Sequence, residues 1–427
     1  MQNDPRSHGL WELSAPAAPV TAPLLGDLAV DVAIVGGGYT GLSAALHLAT
    51  AGRRVAVVEA VNVGYGGAGR NVGLVNAGMW VMPEVLLATL GPVYGPRLLD
   101  ALGNGPAKVF DLIARHGIAC EATQTGTLHC AVGAQGLAEI NARAAQWQAR
   151  GADVRVLGAD EAAGKLGTTA YTGALLDNRA GTIQPLAYAR GLAGAAIGAG
   201  AQVFTASPVS RIERMGDAWR VQTAQGSLTA PWVIMATDAY THTVQEGIRA
   251  EQLHLPYFNF ATVPLSSNLA QSVLPERQGA WDTREVLTSF RMDAKGRLIL
   301  GSVGALKGMA AGIHRDWARR TLARLFPQLG EVEFESEWFG KIGMTSDNLP
   351  RIHRFGPQML GASGFNGRGI SPGTVFGAHL ADHILGRISE ADMLLPVSDM
   401  VLPPFRRVKE AFYEVGAQVV HLTENRL

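Results

Sequence analysis

The apolar residues of this chain fall into two kinds of run. Short β-branched stretches without alternation, such as Asp31-Val32-Ala33-Ile34-Val35, suit strands buried on both faces. Longer Ala- and Leu-rich stretches with helical spacing suit helices that cover such strands. From residue 31 the order is strand, Gly36-Gly37-Gly38, a helix over Tyr39 to Ala51, and a strand over Arg54 to Val58 ending at Glu59. That is one βαβ unit within about 30 residues, and it implies a parallel sheet.

Helical periodicity returns over Gly95 to His116, Gln135 to Arg150 and Pro185 to Gly200. The last has proline near its start and glycine at its end, the favoured asymmetry. Thr127 to Val132 reads as a strand, and Asp160 as the cap of a short helix. Four short strands are expected at 202–205, 210–214, 219–223 and 232–235, with turns at Gly216-Asp217 and Gln225-Gly226. Further strands are expected at 258–263, 287–291, 297–300 and 332–339, and helices over 315–326 and 371–385. The tail from Leu394 carries prolines and is expected to wrap the surface.

Composition narrows the class. At about 150 residues per domain, 427 residues make two to three units, or two large ones. A 47% hydrophobic and 17% charged chain is not disordered. Lys+Arg and Asp+Glu each number 36, so the electrostatic footprint of a nucleic-acid binder is missing. Two cysteines, Cys120 and Cys130, cannot build a disulfide framework and fit a reducing compartment. The polar start, Met1 to Pro19, has no secretory pattern, and no apolar stretch is long enough to span a membrane. A cytoplasmic location is therefore expected, and the oligomeric state stays open. Gly is the outlier, at 52 residues without a Gly-X-Y period, which points to tight turns and close backbone approaches.

The strongest motif is Gly36-x-Gly38-x-x-Gly41, set between the first strand and its helix. Gly36 allows the tight turn, Gly38 lets the backbone approach a diphosphate, and Gly41 lets the helix pack on the sheet. Tyr39 and Thr40 open the helix, whose free N–H groups face the phosphate charge. The Glu59 carboxylate suits ribose hydroxyls and would repel a 2′-phosphate. FAD and NAD share this fingerprint. Six glycines in the fifteen residues from Gly64 to Gly78 then form a loop with exposed backbone donors, suited to a diphosphate and a flavin ring.

Together with this unit, Ala68-Gly69-Arg70-Asn71-Val72-Gly73 resembles the flavin oxidoreductases related to D-amino-acid, glycine and sarcosine oxidases. The Arg-Asn version looks most like the γ-glutamylputrescine oxidase branch, with its pipecolate oxidase-like members. Similar landmarks follow in family order at 181–185, 233–240, 296–301, Trp338-x-Gly340 through Pro350, and 364–369. The resemblance implies an α/β fold. A Rossmann-like FAD-binding domain would be gathered from 25–90, 158–245 and 345–395. An interleaved α+β substrate domain, 91–157 and 246–344, would carry an antiparallel sheet, with 396–427 as a C-terminal tail.

It further implies that Gly367, Gly369 and Ile370 lie near the isoalloxazine, with Val209 and Thr237 as further cofactor contacts. The helix opened by Gly367-Arg368-Gly369 could stabilise an anionic reduced flavin. Asp238 stands where many relatives have Gly. Relatives that attach flavin covalently use a cysteine near position 340 or a histidine in the loop after the βαβ unit. Neither is present, so FAD is expected to be non-covalent.

The implied reaction is oxidation of an amine or amino acid to an imine, with oxygen as the expected acceptor. It needs a neutral amine and correct placement more than a strong base. Arg291 is a candidate substrate ligand, Lys341 a candidate for assisting oxygen reduction, and Tyr257 and Trp338 candidate pocket walls. A dehydrogenase passing electrons to a quinone or carrier, a flavin-binding subunit without its own activity and an NAD-linked dehydrogenase are the alternatives. His379 and His383, four apart on the last helix, lack a third ligand for zinc. His129 and Cys130 alternate to opposite faces of a strand, so they do not form a base–nucleophile pair.

Overall fold

Val32–Val35 and Val55–Val58 are adjacent parallel strands with every residue buried, in a computed structural model that describes residues 8–241 and 244–424. They lie inside a six-stranded sheet ordered Arg351–Gly356, Met359–Ser363, Trp232–Met235, Val32–Val35, Val55–Val58, Gln202–Phe204. All pairings in it are parallel except that of the first two strands. Helices cover one face, against Val32, Ile34, Val55 and Val57, and a four-stranded sheet that includes Trp219, Val221 and Leu228 covers the other, which explains why its strands read as continuous apolar runs. On one face Tyr39–Thr50 packs against Ile370–Ile384. A β-carbon on Gly377 would lie 2.3 Å from the Thr40 carbonyl oxygen, so only glycine permits that approach.

A second sheet has eight strands, ordered Phe334–Met344, Leu253–Thr262, Leu298–Val303, Thr288–Met292, Gly279–Asp282, Thr127–Ala131, Gly173–Asp177, Val154–Leu157. It is antiparallel apart from the pairing of Gly279–Asp282 with Thr127–Ala131. Smaller sheets of four and two strands complete the α/β architecture.

Several sequence expectations change. Gly173–Asp177 falls within a segment assigned to the nucleotide-binding half, yet it pairs with strands of the eight-stranded sheet. The turn at Gln225-Gly226 is present, closed by hydrogen bonds between Thr223 and Gly226, but it leads into an unexpected strand, Gly226–Ala230, whose first residue lies bare against Gly26. Helix Ala159–Leu166 begins at Gly158 without a side-chain cap; Asp160 sits in its first turn, where it favours the helix dipole.

The tail forms a helix, Arg406–Thr423, where a surface wrap was expected. Its inner face buries Ala417 and His421. The His421 ring stacks on Trp317 at 4.2 Å, and its Nδ1 lies 2.8 Å from Nδ1 of His314. Burial holds the pKa of His314 down to about 4 and that of His421 to about 3. Both rings are therefore neutral, so one can donate to the other. The outer face leaves Val408, Phe412 and Val415 exposed.

Candidate functional site

The carboxyl ends of the parallel strands, where open α/β sheets bind ligands, border a cavity of about 680 Å³ whose far wall is the eight-stranded sheet. The first turn is built by steric exclusion. Gly36 has φ +115°, and a β-carbon there would lie 2.5 Å from the Ala236 carbonyl oxygen. Gly38 differs. Its backbone is extended, and a β-carbon would meet only that of Ala68, at 3.8 Å. The space beside Gly38 belongs to the cavity. Helix Tyr39–Thr50 starts there with no side-chain cap, so its first N–H groups remain available to a ligand.

Glu59 closes the other side of this end. Its carboxylate accepts from the Gly37 amide at 2.8 Å and the Val61 amide at 3.0 Å. Burial raises its pKa, which the backbone donors partly offset. Each oxygen keeps a lone pair for a further donor.

Asn71 shapes the glycine-dense loop. Its side-chain amide donates to the carbonyls of Gly67 and Ala68 and to the Tyr39 hydroxyl, and its carbonyl accepts from Gly73. The Arg70 guanidinium lies 4.3 Å over the Tyr65 ring. Gly36, Gly38, Tyr39, Thr40, Glu59 and Ala68 line the cavity, as do Arg70, Asn71, Val209 and Thr237. Gly367, Gly369 and Ile370 line its other end. Gly41, Gly69 and Gly73 do not. Added β-carbons there would lie 2.1, 2.4 and 2.1 Å from the carbonyl oxygens of Gly36, Gly64 and Ile183. These three glycines serve packing.

Tyr257 and Lys341 also line the cavity. The Tyr257 hydroxyl is 2.7 Å from Ser289 Oγ, and the Lys341 ammonium stands 5.6 Å from the Tyr240 ring. Burial, first, lowers the pKa of half-buried Lys341.

Two candidates are corrected. Arg291 does not reach the cavity: it is fully buried and donates to the carbonyls of Ile183, Gly73 and Met292. Its pKa is lowered to about 10 by burial. It braces the glycine loop against the eight-stranded sheet and has no reach toward a substrate carboxylate. Trp338 is buried with Leu10, Trp11 and Ile299, and its indole donates to the Arg70 carbonyl at 3.0 Å. It supports the wall from behind.

Residues missed in the sequence include Trp80, Tyr240, Trp281 and Glu285, all on the cavity wall. Asp238 is half-buried on the cavity wall at φ +39°, a conformation glycine adopts easily. Its carboxylate accepts from the Gly364 amide at 2.7 Å and from Gln252 at 2.8 Å, tying two loops of the cavity end together. Nothing in one sequence signals that link. His379 lies 3.3 Å from the Asp392 carbonyl and His383 packs edge-on to Trp232, so they do not converge. No metal-binding cluster occurs among the described residues. No helix among them is long and apolar enough to cross a membrane.

Comparison with known proteins agrees with this geometry. Residues 31–383 match the family described as FAD dependent oxidoreductase (DAO). Gamma-glutamylputrescine oxidoreductase of Escherichia coli (strain K12) is 31% identical over 400 residues, 92% of each chain. Glycine oxidase from Geobacillus kaustophilus superposes with a TM-score of 0.69 at 21% identity, over 88% of this chain and 98% of the other. L-proline dehydrogenase from P. horikoshii gives 0.70 at 16% identity, over 86% and 96%.

Proposed function

Because the chain belongs to the DAO family of FAD-dependent oxidoreductases, we propose that it oxidises the C–N bond of an amine or amino acid to an imine. Water then hydrolyses the imine, and oxygen takes the electrons, giving hydrogen peroxide. The observation that carries this reading is one continuous cavity. It joins the Gly36–Thr40 turn and Glu59 at one end to Tyr257, Lys341 and Gly369 at the other.

The residues fit FAD. Gly38 and Gly369 both leave cavity space where a side chain would stand. Gly37 to Thr40 would hold the diphosphate, Glu59 a ribose, and Gly367 to Ile370 the ring end. When bound, FAD supplies N5 as the hydride acceptor. No cysteine or histidine among the described residues lines the cavity, which supports non-covalent binding. Cys120 and Cys130 are buried and free, which supports a reducing, cytoplasmic compartment.

The chain's own task is placement. Tyr257, fixed by Ser289, and the wall of Trp80 and Trp281 hold the substrate and exclude water. Lys341 supplies positive charge where oxygen becomes negative. An amine panel under nitrogen should bleach the flavin, and air should then yield about one peroxide per imine. Failure of every amine to bleach it would overturn the reading. A second reading passes the electrons to a quinone or carrier protein. The exposed apolar face of Arg406–Thr423 favours it, and bleaching without peroxide in air would establish it.

Lys341→Met should slow reoxidation by oxygen about 10–100-fold while slowing anaerobic bleaching far less. In the unaltered protein reoxidation should fall as pH rises, because the ammonium is lost. Since burial lowers this pKa, the midpoint should lie below the usual lysine value of about 10.4. Stopped-flow absorbance under the two conditions checks both points.

A further inference from the structure

Behind the large cavity lies a second, of about 20 Å³, bordered by Asn76, His129, Arg143, Asp177, Trp281 and Arg368. Asn76 and Trp281 border both spaces. Trp80 meets Trp281 edge-on at 6.3 Å, so the two indoles form the partition. The Arg368 guanidinium is wedged beside them, 4.6 Å from the Trp80 ring and 5.5 Å from Trp281.

This small chamber has more positive charge than its walls neutralise. Arg368 is buried, with one hydrogen bond to the Ala77 carbonyl and no ion pair among the described residues. Arg143 is also buried; it donates to the Trp80 carbonyl and meets only half-exposed Glu139, at 3.5 Å. Asp177 is already held by two hydrogen bonds from the Arg179 guanidinium and one from its backbone amide. The Nε atoms of both arginines and Nδ1 of His129 have no partner among the described residues. A guanidinium has five N–H donors, so most of this capacity is unspent. Burial is the main cause lowering the pKa of Arg368 to about 9, and Arg143 adds to it. Burial and the two arginines hold His129 neutral, leaving it an N–H donor.

We infer that this chamber is a subsite for a carboxylate at the far end of the substrate, gripped by Arg143 and Arg368 with His129 beside them. The space exceeds what one water requires and suits a flat, two-oxygen group that guanidinium forks bind well. The inference rests on the amine-oxidation reading and narrows it. The substrate is an amine whose chain carries a carboxylate several bonds beyond the oxidised C–N bond. Its tail would enter past Asn76 and Trp281, the residues that border both spaces.

The test uses the FAD-loaded full chain and straight-chain ω-amino carboxylates of increasing length, each against its methyl ester. The acid should be preferred in kcat/KM by about 10–100-fold, since hydrogen bonds to charged groups contribute about 1.5–3 kcal/mol. In Arg143→Met that ratio should fall toward one, and Arg143→Lys should restore part of it. Flavin absorbance per chain reports whether each variant is intact. Equal use of acid and ester by the unaltered protein would overturn the subsite, as would equal losses on both in Arg143→Met. Glutarate, which cannot be oxidised, separates this from the reaction itself. It should change tryptophan fluorescence saturably in the unaltered protein and much more weakly in Arg143→Met. No saturable change would overturn the subsite even if amines are oxidised. A clear change with no amine oxidised would retain the subsite and reject the amine reading.

Discussion

Gly38→Ala should give a folded protein that is nearly colourless. The backbone at Gly38 is extended, which alanine adopts freely, and the new methyl group would touch only Ala68 at 3.8 Å. Stability should therefore stay within about 0.5 kcal/mol. The methyl would instead fill the space in which a diphosphate must approach the first N–H groups of helix Tyr39–Thr50. FAD affinity should fall by about 100-fold or more, read by titrating apoprotein with FAD. Gly36→Ala makes the contrast. There the backbone has φ +115° and the Ala236 carbonyl would be 2.5 Å away, so the fold itself should suffer. If Gly38→Ala binds FAD as well as the unaltered chain, the diphosphate does not sit at this turn.

Trp11→Ala should be the most destabilising single change outside the cavity. Trp11 is fully buried, edge-on to Trp338 at 5.3 Å, and 5.7 Å from the Arg291 guanidinium. Its indole donates to the Asn71 carbonyl at 2.9 Å, and its own carbonyl accepts from Gln184. Truncating a buried tryptophan costs about 3–5 kcal/mol, measurable by denaturant titration. The effect should reach the cofactor, because Asn71 shapes the glycine loop. FAD affinity should fall several-fold, and Leu10→Ala, which lacks the link to Asn71, should lower stability with less effect on FAD. Equal flavin affinity in both variants would show that the loop is held without this support.

The first βαβ unit was legible because three signals coincide: unbroken apolar strands, glycines at fixed spacing and an acid at the second strand's end. The final glycine loop was legible for a similar reason. Arg291 shows the limit. Alternation puts it on the same face as Ser289, which does line the cavity. Alternation does not say how far along that strand the cavity extends, and Arg291 lies beyond it. Trp338 fails in the same way two residues before Gly340. Gly279–Asp282 is too short to show a period, which hid Trp281. His8 and Trp11 sit in a segment with no period at all, and their burial arises from partners more than fifty residues away. Helix Arg406–Thr423 was masked by the prolines before it.

The order of strands in the six-stranded sheet has a bearing on synthesis. Val32–Val35 and Trp232–Met235 are neighbours, and Met359–Ser363 completes that side. The earliest βαβ unit therefore leaves the ribosome roughly 300 residues ahead of the strand that finally flanks its sheet. Throughout that interval its apolar surfaces lack part of their native cover, notably helix Ile370–Ile384, and pairing across so long a separation is slow. The nascent chain is then most open to aggregation or chaperone capture, and the cavity is not closed until the loop at Gly364–Gly369 has emerged.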